Sequence, residues 1–165
     1  MKRFLPYLFL FGLLIEGAAA QSTIFLVRHA ERADAGSDGG QKAEDPDLAE
    51  IGRVRAASLA KILIDAEITA VFATEFKRTQ QTADPVALAA GVDVTIVPAK
   101  DTPALVAKLR EARGNVLVVA HSNSLPEIIR GLGVESSVTI RESDYDNLFV
   151  CIPGGPLRFL KLHYQ

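Results

Sequence analysis

The chain holds three histidines, and two of them follow directly on apolar runs. His29 sits in V-R-H-A-E-R, residues 27–32, and His121 in V-V-A-H-S-N-S, residues 118–124. A neutral imidazole can act as a base or a nucleophile near physiological pH. Arg28 immediately precedes His29, and a second guanidinium, Arg78, lies in T-E-F-K-R-T-Q-Q-T-A, residues 74–83. Arg78 falls in the first turn or so of an expected helix, where a cation opposes the helix dipole. That cost makes better sense where an anion binds and shares the guanidinium with the helix amides. Two arginines and two histidines at strand ends describe a phosphate pocket. Singly each has a bland reading: a strand-end histidine is usually structural, and Arg78 alone could be a surface ion-pair partner. Three motifs at the same edge of one sheet reverse that judgement.

The elements that must position these residues follow from hydrophobic periodicity and turn residues. Strands are expected over residues 23–27, 68–73, 92–97 and 115–120, the last an uninterrupted N-V-L-V-V-A run suited to the buried centre of a parallel sheet. Helical spacing of apolar residues covers 48–66, and a second helix over 75–90 is expected to kink or break near Pro85. Thr102 before Pro103 marks a helix start running to about residue 113, and Ser124 with Glu127 forms a capping-box pattern for a helix reaching Arg130. Residues 33–47, with three glycines, Pro46 and several aspartates, read as a loop, and 148–152 and 157–163 as a closing pair of strands. This alternation implies an α/β domain, a three-layer α/β/α sandwich with a mostly parallel sheet. Ligands of such sheets bind beyond the carboxyl ends of the strands. If the strands before His29 and His121 are parallel neighbours, both imidazoles and Arg28 converge on one pocket.

Arg28-His29, the T-x-x-x-R-T-x-Q-T-A run from Thr74, and His121-Ser122-Asn123 resemble the histidine phosphatase superfamily, the phosphoglycerate mutase-like family. L-A-E-I-G-R-V-R-A-A-S-L-A, residues 48–60, is similar to the family's leucine-and-glycine helix start. H-A-E-R in place of the mutases' start looks like the family's compact phosphatases. The resemblance implies a phosphoglycerate mutase-like fold, with His29 as a nucleophile that forms a phosphohistidine. It also implies Arg28, Arg78 and His121 as ligands of the phosphoryl oxygens. Nearby arginines would keep the nucleophile neutral by disfavouring its cation. Arg32 could reach substrate from its loop or simply be solvated.

A phosphate ester also needs a proton for its leaving alkoxide, whereas a phosphorylated imidazole leaves readily without one. Ester-cleaving members generally carry a glutamate downstream of the second arginine. Here that region, residues 97–103, has Asp101 as its single carboxylate. Asp101 is the favoured candidate acid, with a helix cap as its alternative. Glu75 and Glu31 are the other candidates.

Composition bounds the rest. The 165 residues suit one domain, and 18 basic against 20 acidic residues, a net charge of −2, argue against a nucleic-acid partner. Lys2 and Arg3, a short apolar run over 5–15 and Ala18-Ala19-Ala20 form the three parts of a signal peptide over 1–20. The apolar run is too short for a comfortable membrane span, although an uncleaved anchor is the alternative. The domain would then cover 21–165, in a secreted or periplasmic protein with no stable membrane insertion after cleavage. A lone cysteine, Cys151, reads as a buried core residue. His163 reads as structural, and Gly131 and Gly133 as a helix-ending turn. The spacing of histidines and carboxylates matches no metal motif, so no metal and no cofactor are expected. The expected partner is a small phosphorylated substrate. The expected activity is hydrolysis of phosphomonoesters. A phosphohistidine protein phosphatase and a non-catalytic phosphate-binding module are the alternatives.

Overall fold

A computed structural model describes residues 22–33 and 44–165. The expected signal segment and most of the glycine-rich loop lie outside these. In chain order the elements are β1 (Ile24–Arg28), α1 (Glu50–Ile62), β2 (Ile68–Ala73), α2 (Lys77–Ala90) and β3 (Val94–Ile96). They continue with α3 (Thr102–Glu111), β4 (Asn115–Ala120), α4 (Leu125–Gly131), β5 (Asn147–Ile152) and β6 (Arg158–His163).

The six strands form one sheet in the order β3-β2-β4-β1-β5-β6. β3, β2, β4 and β1 run parallel, and β5 and β6 join antiparallel at the β1 edge. The apolar run of β4 is central because both its faces are covered. Val116, Val118 and Ala120 pack with Leu105, Leu109, Leu125 and Ile128 of α3 and α4. Leu117 and Val119 pack with Leu59, Ala83, Val86 and Ala87 of α1 and α2. The result is the three-layer sandwich that the alternation implied. Cys151 lies in the first of these clusters, fully buried.

Several local expectations are corrected. α2 continues through Pro85 to Ala90 without a break and ends at Gly91, whose positive φ of 68° suits glycine. Packing of Ala83, Val86 and Ala87 on the sheet holds that helix although proline donates no hydrogen bond. β3 is only three residues long. Ser124 occupies the position before α4 but caps nothing there; its hydroxyl accepts from the amide of His121 at 3.3 Å. α1 begins at Glu50 and ends at Ile62, shorter at both ends than its apolar pattern.

The start of α1 clamps the chain that leaves β1. The Ala49 amide donates to the Glu31 carbonyl at 2.9 Å, and Arg55 grips the Glu31 carboxylate, with Nη2 to Oε1 at 2.7 Å. Gly52 makes this approach possible, because a Cβ there would lie 2.2 Å from the Glu31 carbonyl oxygen. Among the described residues no helix is long and apolar enough to cross a membrane.

Candidate active site

Parallel pairing sets β1 and β4 with Arg28 opposite Ala120. The next residue on each strand is a histidine, so both imidazoles leave the sheet at the same level. Their ring centroids are 5.4 Å apart. The His29 amide donates to the Ala120 carbonyl at 2.9 Å, which ties the two strand ends together. β2 is the other neighbour of β4, so α2 brings Arg78 to the same edge. Thr82 fixes that helix to β1: its hydroxyl accepts from the Ala30 amide at 2.9 Å and donates to the Arg78 carbonyl at 2.7 Å. Arg28, His29, Arg32, Phe76, Arg78, Ala99, His121, Ser122, Asn123 and Glu142 line one cleft of about 340 Å³. A larger hollow of about 580 Å³ between α1 and the segment before β5 contains none of Arg28, His29, Arg78 and His121.

Hydrogen bonding decides which nitrogen of His29 can react. Its Nδ1 is 2.8 Å from the carbonyl oxygen of Ala30, so Nδ1 carries the proton and donates it. Nε2 is then the bare lone pair. The ring is held neutral, with its pKa lowered to about 3. Burial is the largest cause, opposed by the Ala30 bond and followed by His121 and the two arginines. The sequence had credited the arginines; desolvation exceeds them because His29 is only 5% exposed. His121 is lowered to about 4, again first by burial and then by Arg78. Its Nε2 lies 3.1 Å from the Thr74 hydroxyl, itself 2.8 Å from the Thr79 hydroxyl. The Thr79 hydroxyl donates to the Phe76 carbonyl at 2.7 Å, so the Thr74 hydroxyl donates to Thr79 and accepts from the Nε2–H of His121.

Arg28 is buried and rigidly held. Its Nη1 donates to the carbonyls of Arg141 and Glu142 at 3.0 and 2.9 Å, and Nη2 to Oε2 of Glu142 at 3.0 Å. The guanidinium lies 4.2 Å over the Tyr145 ring. Its Nε–H is buried and bonds nothing among the described residues, a donor that an anion could satisfy. Arg78 stacks on Phe76 at 4.3 Å, and its Nη1 is 3.7 Å from Asp45. The Asp45 carboxylate also accepts from the Lys77 amide, at 3.1 and 3.2 Å. The anion expected on these helix amides is therefore partly the protein's own.

Of the residues singled out in the sequence, Arg28, His29, Arg32, Arg78 and His121 meet in the cleft, with Arg32 half-buried. Asp101 does not join them. It caps α3, accepting from the Ala104 amide at 3.1 Å, because a free carboxylate before a helix start is drawn to the unsatisfied amides of the first turn. Glu31 is turned into Arg55, and Glu75 accepts from the Ala99 amide at 2.7 Å. His163 lies far along β6, 2.9 Å from Asp146. Thr74, Glu142 and Tyr145 were not singled out by sequence. Thr74 had a signal, as the first residue of the T-E-F-K-R run after a strand; the other two lie between regular elements. Among the described residues no three metal-ligating side chains come together.

Residues 24–100 match the family model described as histidine phosphatase superfamily, branch 1. No curated protein matches the chain by sequence. Among solved structures, the protein histidine phosphatase SixA complexed with tungstate superposes with a TM-score of 0.68 at 17% identity, covering 86% of this chain and 96% of that one. A mycobacterial glucosyl-3-phosphoglycerate phosphatase with inorganic phosphate gives 0.64 at 15% identity, covering 87% and 96%. The complex of that phosphatase with VO3 gives 0.62 at 13% identity, covering 86% and 97%.

Proposed function

We propose that the chain, whose residues 24–100 match the histidine phosphatase superfamily model, hydrolyses phosphomonoesters through a phosphohistidine on His29. One observation carries the reading: the Nδ1–H of His29 is committed to the Ala30 carbonyl, so the Nε2 lone pair belongs to a cleft lined by Arg28, Arg78 and His121. Nε2 attacks phosphorus, the ester P–O bond breaks, and its electron pair goes to the leaving oxygen. Water then attacks phosphorus, the P–N bond breaks, and its pair returns to Nε2. Splitting the displacement in two lowers each barrier. Arg28 and Arg78 oppose the charge that builds on the phosphoryl oxygens, and the His121 ring lines the same cleft. Because Arg28 is already held by two carbonyls and a tyrosine face, little reorganisation accompanies the reaction.

Export is part of the proposal. The positive start, short apolar run and Ala18-Ala19-Ala20 support removal of residues 1–20 and a secreted or periplasmic site of action. Mass spectrometry of the exported protein would then find Gln21 first. A second reading, a phosphohistidine protein phosphatase, draws on the similarity to a protein histidine phosphatase. Cytosolic phosphorelay partners would be out of reach of an exported enzyme.

The test is a panel of phosphate esters and a phosphohistidine protein, with wild type and His29→Ala. Turnover of esters, a trapped acid-labile phosphoenzyme and its loss in His29→Ala are expected. Loss of a nucleophile commonly costs on the order of a millionfold, so a tenth of wild-type activity in His29→Ala refutes the role.

A further inference from the structure

Ester hydrolysis through His29 leaves a proton unaccounted for, and the geometry points to Glu142 as the acid that supplies it. This inference rests on the phosphatase reading above and names a group within the same cleft. Among the described residues Glu142 is the one carboxylate lining the cleft. The three carboxylates that the sequence offers, Asp101 first among them, are committed elsewhere. Asp101 caps α3, and Glu75 is bound to the Ala99 amide. Glu31 is clamped by Arg55 and held below the usual carboxylate range: burial pushes it up, and the bonds from Arg55 with a backbone amide more than reverse this. Glu31 stays ionised and has no proton to give.

Glu142 differs in each respect. Its side chain is 88% exposed, so it can exchange protons with solvent and swing. Its Oε2 is 3.0 Å from Nη2 of Arg28 and its Oε1 is 3.4 Å from the Ser122 hydroxyl. It therefore shares a guanidinium with any phosphoryl oxygen that Arg28 holds. The other charged or titratable groups lining the cleft are Arg28, Arg32, His29, Arg78 and His121. An arriving phosphate dianion is held by the same Arg28 guanidinium, which sets its ester oxygen beside the Glu142 carboxyl. The carboxyl then meets the ester oxygen as the P–O bond breaks: the proton passes from Glu142 to the leaving oxygen, and the alcohol departs. In the second half the Glu142 carboxylate takes a proton from the attacking water, which restores the carboxyl and delivers phosphate.

The backbone carbonyl of Glu142 bonds Arg28 independently of the side chain. Glu142→Gln keeps that bond and a side-chain acceptor, and removes the acidic proton. The experiment compares full-length wild type and Glu142→Gln on a series of phosphate esters from alkyl to dinitrophenyl, with a phosphohistidine protein as a further substrate. Expected is a loss of at least about a hundredfold on alkyl phosphates, shrinking steadily as the leaving group becomes more acidic. A loss equal across the series would overturn the proposal, since it describes a positioning role for Arg28. A gain across the series would also overturn it, by making Glu142 an internal competitor of phosphate. A wild type that acts on phosphohistidine alone removes the need for an acid and overturns it too. A wild type inactive on every substrate instead removes the phosphatase reading on which the proposal stands.

Discussion

The two buried imidazoles make folding stability depend on pH in a way the structure specifies. His29 is lowered to about 3 and His121 to about 4, from 6.5 in the unfolded chain. Below pH 6.5 the unfolded chain takes up protons that the folded protein refuses, so stability falls as the solution is acidified. The penalty is absent well above pH 6.5, grows from there down to about 4 for His121 and about 3 for His29, and levels off below those values. Each proton bound only by the unfolded state gives a slope of about 1.4 kcal/mol per pH unit. Between pH 7 and 4.5, His29 alone therefore removes roughly 2–3 kcal/mol, a large share of a typical stability of about 5–15 kcal/mol. Urea denaturation of wild type, His29→Gln and His121→Gln at pH 7, 6, 5 and 4.5 measures this. Carboxylates contribute equally to all three, so the comparison isolates the imidazoles. Each variant should show a slope shallower than wild type by about 1.4 kcal/mol per pH unit. Parallel curves for wild type and His29→Gln would refute the claim that burial holds His29 neutral.

Gly52→Ala drives a methyl group against the Glu31 carbonyl; a loss of about 2 kcal/mol is expected in a thermal melt, with at least about a tenfold fall in turnover as the residues after His29 shift. Thr82→Val keeps the volume but strands the buried Ala30 amide, so urea unfolding should show a loss of about 1–3 kcal/mol. Asp101→Ala removes the α3 cap, for about 1 kcal/mol of stability. Its turnover should stay within about twofold of wild type, as for a substitution away from the site.

Much of this molecule is legible in short stretches of sequence. The run N-V-L-V-V-A has no polar face, so it had to be a strand covered on both sides. The residues after it and after β1 had to lie at strand ends. Those local rules carry His29, His121 and Arg28 to a sheet edge, and the R-T-x-Q-T-A run carries Arg78 to the first turn of α2. Periodicity does not encode register. Only the parallel pairing of Arg28 with Ala120 sets the two imidazoles 5.4 Å apart. Asp101 took the cap that was its alternative reading, and the capping box expected at Ser124 did not form because its hydroxyl turned to the nearer His121 amide. Burial, which lowers the histidines more than the arginines do, is a property of the assembled core. Glu142 and Tyr145 lie between α4 and β5, where no apolar period marks a position. Their place against Arg28, which lies more than a hundred residues earlier, exists only once the chain has closed on itself.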